Sequence, residues 1–384
     1  MVRGGNHPFG SKNMSGTLRA GTPNDDTLLS QAPRDTLAGG AGDDIYDIAH
    51  YGVVIREEAG GGHDVIVTHI DYALPDFVED MSMGYAGRGH IPNPPTAGAL
   101  IGIGNRLDNA IAGNSLDNII KGMAGNDTLL GNAGHDSLDG GDGNDLLTGG
   151  SGNDMLLGGA GNDDLAGGPG DDIFVGGTGD DRIFGNDGLD IVRYDGRLGV
   201  IGGDHYFVRD AEGTMTITNL NGDGVDILKG IEIVTFGLNV VLNSRPTGAV
   251  RNGFDEALYL SRNADVASAV RNGALPSGWD HFRQFGEREG RDPNALFDAD
   301  YYLANNRDVA AAVARGEVTA WSHYTNHGWR EGRDPSAFFN TRAYMDTNAD
   351  MAASGLNPLL HFLHIGSHDG RMAQLSNNTL DWIG

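Results

Sequence analysis

Eight aspartates recur at nine-residue intervals in the middle of the chain. Cut into nonapeptides from Gly122 to Arg193, this stretch has glycine at positions one and four, aspartate at position six and a large apolar residue at position eight of all eight units. Carboxylates at a fixed spacing can supply oxygen ligands to a hard divalent cation. The candidate metal ligands are Asp127, Asp136, Asp145, Asp154, Asp163, Asp172, Asp181 and Asp190.

The glycines and the apolar residues indicate the backbone that must position those carboxylates. Glycine at positions one, two and four permits positive φ, so six residues can turn tightly and aim carbonyl oxygens to one side. The remaining three residues suffice for a very short strand, in which position eight points inward. Two units then close one coil of a solenoid. The carbonyl oxygens predicted as further ligands belong to Gly125, Gly134, Gly141, Gly143, Gly150, Gly152, Gly159, Gly161, Gly168, Gly170, Gly177 and Gly179.

Stacking of these coils brings the position-six carboxylates of units n and n+2 close together. Each such pair is repulsive by about 1 kcal/mol even at the dielectric constant of water, and a dication between coils would reverse that sign. An all-oxygen shell with loose geometry favours Ca²⁺ over Mg²⁺, and soft ligands for zinc or copper are missing from the repeats. Eight units paired in this way predict about six interior Ca²⁺ sites. The alternative is an Asp-Gly turn ladder that binds no metal.

The nonapeptides follow the pattern G-G-x-G-x-D-x-U-x and so resemble the calcium-binding repeats of RTX proteins. The resemblance implies a parallel β-roll in a protein secreted by bacteria. The C-terminal segment NNTLDWIG, in which an acidic residue precedes bulky apolar ones, resembles the uncleaved signal of type I secretion. We therefore expect an extracellular protein, associated with the cell surface or free, with the type I secretion machinery among its partners.

Weaker nonapeptides lie on the N-terminal side of the main block. Residues 104–112 and 113–121 carry Asn109 and Asn118 at position six, which predicts an uncharged cap on the roll. A first block near the N-terminus has its position-six carboxylates at Asp26, Asp35, Asp44 and Asp64. Asp26 and Asp44 are eighteen residues apart and could share one ion, whereas Asp44 and Asp64 are twenty apart and need a bulge.

The segments around the roll complete a multidomain prediction: an all-β parallel roll with a flanking sheet, followed by a mainly α-helical repeat domain. The sequences DHYFVRD, TMTITNL and VDILKGIEIVTF alternate like antiparallel strands that would cover the last coil. The predicted boundaries are an N-terminal tail at 1–20, the first block and a connector at 21–103, the main roll at 104–193, the flanking sheet at 194–250, three helical repeats at 251–373 and a secretion tail at 374–384.

The last third of the chain contains three units of about 42 residues with a helical period. The stretch DVAAAVARG suggests a short helix that begins at an aspartate cap and ends at glycine. Similar units accompany RTX blocks in secreted bacterial proteins. We expect the tryptophans to pack in the core, with exposed sugar platforms as the alternative. Matching columns are Phe254, Phe297 and Phe339; Asp265, Asp308 and Asp350; His281, His323 and His361, expected as interior hydrogen-bonding groups; Gly286, Gly328 and Gly366; and Arg291, Arg333 and Arg371.

Composition and missing motifs narrow the function. The chain has 384 residues, 62 glycines, no cysteine and a net charge of −27, which argues against disulfides and nucleic-acid binding. No apolar run is long enough for a membrane helix. Neither HExxH nor G-x-S-x-G occurs, so we expect no enzymatic activity. The favoured role is an adhesin-like or surface-lattice component whose helical repeats bind glycan, matrix or another copy. The alternative is a polysaccharide-acting enzyme or its accessory module.

Overall fold

The computed structural model describes residues 16–84, 100–194, 205–209, 214–219, 224–236, 239–242, 253–366, 371 and 373–376. Residues 377–384 of the expected secretion tail, which include Trp382, and the Pro-rich segment at 90–98 lie outside these residues. The chain divides into two compact units, Met1–Leu146 and Leu147–Gly384.

The first unit is a parallel β-solenoid. Its strands stack in the orders β2-β4-β6-β8-β10-β12, β7-β9-β11-β13 and β1-β3-β5. The strands are β1 Leu18–Ala20, β2 Thr27–Leu29, β3 Thr36–Ala38, β4 Ile45–Ile48, β5 Val54–Ile55, β6 Val65–Thr68, β7 Tyr72–Ala73, β8 Asp80–Met83, β9 Ile101–Ile103, β10 Ala110–Ala112, β11 Ile119–Ala124, β12 Thr128–Ala133 and β13 Ser137–Asp142.

Register in the first unit confirms that unit n pairs with unit n+2. Ile111 lies beside Leu129 and Ile120 beside Leu138 in the parallel ladders, and all four position-eight side chains are buried. The ladder continues on the far side of the asparagine units, where β8 pairs with β10 and β7 with β9. The prediction that these units cap the roll is therefore wrong, since strands cover both of their sides.

Strands of the full repeats are longer than the three residues predicted. A typical strand, β12, contains positions seven to nine of one nonapeptide and positions one to three of the next. Side chains alternate along it, so positions eight and one both face inward. Position-one glycines thus belong to the strands, and the tight turn is confined to positions four to six.

The second unit begins within β14, and its first part is also a parallel β-solenoid. Its strands are β14 Leu146–Ser151, β15 Met155–Ala160, β16 Asp164–Pro169, β17 Ile173–Thr178, β18 Arg182–Asp187, β19 Ile191–Tyr194, β20 His205–Arg209, β21 Met215–Asn219, β22 Val225–Lys229, β23 Ile233–Phe236, β24 Asn239–Leu242 and β25 Ala373–Gln374.

The flanking sheet is only partly antiparallel, which corrects the sequence-based prediction. β22 pairs parallel with β18 and β23 pairs parallel with β19, so both extend the solenoid by further half-turns. The strands β20, β21, β24 and β25 then add in antiparallel fashion at the two edges. They cover backbone groups that would otherwise be left unpaired at the end of the solenoid.

Three helical repeats follow, each with two short helices and then a four-residue helix that runs into a π-helix. The described helices are α1 Glu256–Arg262, α2 Ala264–Arg271, α3 Gly278–His281, π1 Phe282–Gly286, α4 Glu287–Glu289, α5 Ala299–Asn305, α6 Arg307–Ala314, α7 Ala320–His323, π2 Tyr324–Gly328, α8 Thr341–Thr347, α9 Ala349–Ser354, α10 Pro358–His361 and π3 Phe362–Gly366. None of the helices in the described ranges is long and apolar enough to cross a membrane.

The repeated columns of this region have local structural roles. The repeated aspartate does not cap the second helix as predicted, because Asn306 occupies that place in the second repeat. Instead it forms a two-pronged ion pair with the repeated arginine, at 2.7–2.9 Å in the pairs Arg291–Asp265, Arg333–Asp308 and Arg371–Asp350.

Histidine and glycine fix the third helix of each repeat against the first. The repeated histidine shares a hydrogen bond with a buried tyrosine hydroxyl, at 2.8–3.0 Å in the pairs Tyr259–His281, Tyr302–His323 and Tyr344–His361. The expectation of interior hydrogen-bonding histidines is confirmed for His281 and His361, whereas His323 makes the same hydrogen bond but is half-buried. A Cβ at Gly286 or Gly328 would collide with the hydroxyl of Tyr259 or Tyr302, so glycine allows this close approach.

The core of the second unit joins the solenoid to the helical repeats. Ile191, Ile233 and Val240 from the strands belong to the same buried cluster as Phe254 and Trp321 from the repeats. Trp329 is also buried, so the expectation of core packing is confirmed for Trp321 and Trp329. The last solenoid turns and the helices therefore support each other.

Candidate metal centres

The position-six aspartates lie inside the turns. The main-chain N–H of one such aspartate donates to the carboxylate of the aspartate in the next coil. The N–H of Asp127 donates to Oδ1 of Asp145 at 2.7 Å. The same contact joins Asp154 to Asp172 at 2.8 Å, and Asp163 to Asp181 and Asp172 to Asp190 at 3.0 Å. All eight predicted aspartates are at most 3% exposed. Carboxylates from successive coils are therefore brought together in columns, as the n and n+2 pairing predicts.

The second carboxylate oxygen points into a small space at the position-one glycine. A Cβ on Gly122 would collide with Oδ2 of Asp127 and would lie 2.6 Å from the carbonyl oxygen of Gly140. Gly176 stands in the same relation to Asp181. Neither glycine has a positive φ. Glycine at position one is thus required for space rather than for backbone conformation, which corrects part of the sequence argument.

Positive φ is confined to positions two and four, the positions of the twelve glycines whose carbonyls were predicted as ligands. Each of those twelve has φ between +109° and +145°. Where position two is not glycine, Met123, Asn132 and Asn186 adopt the same left-handed region with φ of 78–88°. The carbonyl that borders the Asp127 oxygen belongs to position one, so position-one carbonyls are further candidate ligands that the sequence reasoning missed.

These buried oxygens lack the neutralisation that a carboxylate needs. Among the described residues, Oδ2 of Asp127, Asp172, Asp181 and Asp190 has no hydrogen-bond partner. Burial is the main cause that raises the pKa of Asp127 to about 6 and that of Asp172 and Asp181 to about 7. Burial and the Glu232 carboxylate raise the pKa of Asp190 to about 9. A bound dication would remove the cost of these buried charges.

The column of carboxylates extends beyond the eight nonapeptides, to two residues that the sequence analysis did not select. The N–H of Asp181 donates to Oδ1 of Asp226 at 3.0 Å, and that of Asp190 donates to Oε2 of Glu232 at 2.9 Å. The signal was present in NGDGVDILK, residues 221–229, which has glycine, aspartate and leucine at positions four, six and eight. A long intervening segment conceals its relation to the main block.

The two asparagine units carry the same hydrogen bond without the charge. The N–H of Asn109 donates to Oδ1 of Asp127, and that of Asn118 to Oδ1 of Asp136, both at 2.7 Å. The amide of Asn109 also donates to the carbonyl oxygen of Glu79 at 2.8 Å. The Asn109 amide thus donates a hydrogen bond at the position where a carboxylate would offer an oxygen to a cation.

Three of the four predicted aspartates in the first block, Asp26, Asp44 and Asp64, form the same kind of hydrogen-bonded column. The N–H of Asp26 donates to Asp44 at 2.7 Å, and that of Asp44 to Asp64 at 2.9 Å. The two extra residues before Asp64 are accommodated in the loop, and no slip occurs in the pairing of β4 with β6.

Asp35 does not belong with the other candidate metal ligands. Arg19 contacts its Oδ2 at 3.3 Å, and the N–H groups of Thr17, Gln31 and Ala32 donate to its two oxygens. These contacts lower the pKa of Asp35 to about 2 despite burial. Its charge is neutralised within the protein, so it has no need of a cation.

The donor set fits a hard divalent cation. Each place offers carboxylate oxygens beside main-chain carbonyl oxygens, with neither sulfur nor imidazole among the repeat ligands, which suits Ca²⁺. The residues that would hold it are the position-six carboxylates and the glycine carbonyls of adjoining turns. Fold and site together define a cation-binding parallel β-solenoid.

Comparison with known families gives the particular kind of solenoid. The family model of the RTX calcium-binding nonapeptide repeat, in four copies, matches residues 21–47, 112–147, 130–165, 139–174 and 166–196. None of the curated proteins compared with the chain matches it. These segments of the chain therefore carry RTX-type calcium-binding repeats, as the nonapeptide pattern predicts.

Proposed function

We propose that this protein folds on binding calcium outside the cell that makes it, with the position-six carboxylates and glycine carbonyls as ligands. The observation that carries the proposal is the buried, unpartnered Oδ2 at Asp127, Asp172, Asp181 and Asp190. Without a cation these charges oppose folding, because burial penalises the ionised form. With a cation they attach each coil to the next.

Linkage turns this local effect into a switch. A ligand that binds only the folded state stabilises it by RT ln(1 + [L]/Kd), which is about 2.7 kcal/mol per site at a hundredfold excess over Kd. Extracellular calcium modules have Kd of about 10⁻⁴–10⁻³ M, far above cytosolic calcium. The chain would then stay extended during export and fold at its destination.

Titration of metal-free protein with calcium tests the switch. We expect heat release in calorimetry and a gain of β-sheet circular dichroism, both reversed by a chelator. The variant Asp172→Asn should bind fewer ions, whereas Asp187→Asn, which changes an exposed position-three carboxylate, should behave as wild type. An unchanged spectrum together with no heat would contradict the proposal.

Export by a type I system is the second part of the proposal, and the C-terminal NNTLDWIG segment supports it. Expression in a bacterium with such an exporter should place the protein in the medium, and replacement of Leu380, Trp382 and Ile383 by serine should retain it inside. Equal secretion of both proteins would remove this part of the proposal.

For the helical repeats we propose a binding role at a surface or matrix, rather than catalysis. Phe285 and Leu356 are 46% and 51% exposed and lie on two of the three repeats. Because Trp321 and Trp329 are buried, they cannot serve as exposed platforms for a sugar. The support for a polysaccharide-acting alternative is correspondingly weaker.

Binding of calcium-loaded full-length protein to glycan arrays and to bacterial surfaces tests this role. The double variant Phe285→Ser, Leu356→Ser should lose binding, while the neighbouring exposed change Arg288→Ser should not. Release of soluble sugars from acidic polysaccharides would instead favour the enzyme.

A further inference from the structure

We propose that Asp44, Glu57 and Asp64 form a three-carboxylate calcium site in which Glu57, a residue outside the nonapeptide pattern, supplies the third carboxylate. This inference rests on the calcium-binding function proposed above and adds a ligand that neither the repeat pattern nor the family match assigns. One oxygen from each of the three carboxylates lies within 4.8 Å of the other two. Such a separation allows one ion to contact all three.

The three carboxylates come from two successive coils of the first unit, Asp44 from one and Glu57 and Asp64 from the next. Asp44 and Asp64 precede β4 and β6, which are adjacent in one sheet. Glu57 follows β5, which stacks on β3 in the other sheet, with Leu37 beside Ile55. Glu57 therefore stands directly beside Gly39 in the turn above, and its Oε1 accepts the N–H of Gly39 at 3.1 Å. The solenoid itself aims this side chain at the column of aspartates.

In each of the three carboxylates, one oxygen accepts a hydrogen bond from the protein and the other has no such donor among the described residues. Oδ1 of Asp44 accepts from Asp26, Oδ1 of Asp64 accepts from Asp44, and Oε1 of Glu57 accepts the hydroxyl of Tyr46. The remaining oxygens, Oδ2 of both aspartates and Oε2 of Glu57, are buried with no hydrogen-bond partner among the described residues. Asp44 and Asp64 are 0% exposed.

No ion pair within the described ranges neutralises this group, in contrast to Asp35, which lies nearby in sequence and pairs with Arg19. Burial raises the pKa of all three carboxyls, that of Asp64 to about 6. Among the described residues, these carboxylates therefore have no positive partner, and a bound cation would supply the missing charge.

Glycines keep the space around these oxygens open. A Cβ on Gly39 would collide with Oδ2 of Asp44 and with the hydroxyl of Tyr46. A Cβ on Gly61 would lie 2.9 Å from Oε2 of Glu57 and 2.8 Å from the carbonyl oxygen of Gly40. A carbonyl oxygen thus borders the same space as the unpartnered carboxylates, as it does at the main repeats.

The variant Glu57→Gln in the full-length protein tests the site, with Glu58→Gln as the matched control. Glu58 is the adjacent carboxylate in the sequence and is exposed. Equilibrium dialysis should show one calcium ion fewer for Glu57→Gln, or one ion bound at least tenfold more weakly, and wild-type stoichiometry for Glu58→Gln. Equal binding by wild type and Glu57→Gln would overturn the inference while leaving the proposed function intact. Absence of calcium from wild type would remove both.

Urea unfolding separates a ligand from a structural residue. If Glu57 binds the ion, Glu57→Gln should lower the unfolding midpoint in calcium but not in chelator, where removal of a buried charge is neutral or favourable. An equal loss under both conditions would assign Glu57 a structural role and overturn the site.

A second variant keeps the test valid if Glu57→Gln does not fold. Tyr46 contacts Glu57, so excitation of tyrosine should sensitise terbium bound in place of calcium at this site. Tyr46→Phe retains all three carboxylates and should lose that component of terbium luminescence, which Glu58→Gln should keep. Identical luminescence from wild type and Tyr46→Phe would overturn the inference.

Discussion

The main-chain N–H of Asp181 donates to the Oδ1 of Asp226 at 3.0 Å, although 45 residues separate the two. Within the uninterrupted repeats the equivalent contact joins aspartates 18 residues apart, as from Asp163 to Asp181. Asp226 is thus a position-six residue of the same column. The hydroxyl of Tyr194 donates to its Oδ2 at 2.7 Å and holds the carboxylate in place.

Asp226→Asn should weaken calcium binding at the last full turn without unfolding the protein. The amide oxygen can still accept the N–H of Asp181, but the negative charge is lost. We expect one class of ions to bind at least tenfold more weakly, about 1.4 kcal/mol in binding free energy, as calorimetry would measure. Wild-type affinity in this variant would show that Asp226 is structural only, and Asp187→Asn provides the baseline.

Calcium binding should release protons near neutral pH. Asp172 and Asp181 have an ordinary pKa of 3.8, which burial raises to about 7 in the metal-free folded state. Between about pH 4 and pH 7 the folded state then binds more protons than the unfolded state, so the stability of metal-free protein should fall as pH rises through this range. Well above pH 7 these carboxyls are ionised in both states, so the difference in bound protons vanishes.

Calorimetry at pH 6 in two buffers of different ionisation enthalpy would measure the released protons directly. The apparent calcium affinity should rise between pH 5 and pH 8, because ions replace protons on the same carboxylates. Buffer-independent heats, or an affinity unchanged over this interval, would show that the buried carboxylates are already ionised without metal.

Gly176→Ala should disable one turn although glycine there has no positive φ. Its Cβ would occupy the space beside Oδ2 of Asp181. We expect about 1–3 kcal/mol of overpacking and the loss of bound calcium at that turn, seen as a lower melting temperature and one ion fewer in dialysis. Thr178→Ala, an exposed change two residues away in the same strand, should leave both measurements unaltered.

Gly328→Ala should destabilise the helical repeats through Tyr302. The added methyl group meets the tyrosine hydroxyl and breaks its 2.9 Å hydrogen bond with His323. We expect a loss of about 1–3 kcal/mol in unfolding free energy, smaller when Tyr302→Phe is also present because the hydroxyl is then absent. A double-mutant cycle in urea measures this coupling, and strictly additive effects would contradict the contact.

The sequence was informative wherever structure repeats locally. Glycine, aspartate and a large apolar residue at fixed positions predicted the turns, the inward column and the pairing of unit n with unit n+2, since each depends on residues at most eighteen positions apart. The helical repeats were predictable for the same reason, as their Tyr302–His323 and Arg333–Asp308 contacts lie within one repeat.

What the sequence left undetermined depended on contacts between distant segments. Asp226 joins the column only because strand β22 packs beside β18, and Glu57 approaches Asp44 only because β5 stacks on β3. Asp35 matches the pattern yet is neutralised by Arg19, whose position no local rule fixes. Spacing along the chain thus determined which oxygens exist and how coils repeat. Packing in three dimensions decided which of those oxygens remain unpartnered, since that depends on every neighbour that folding brings near.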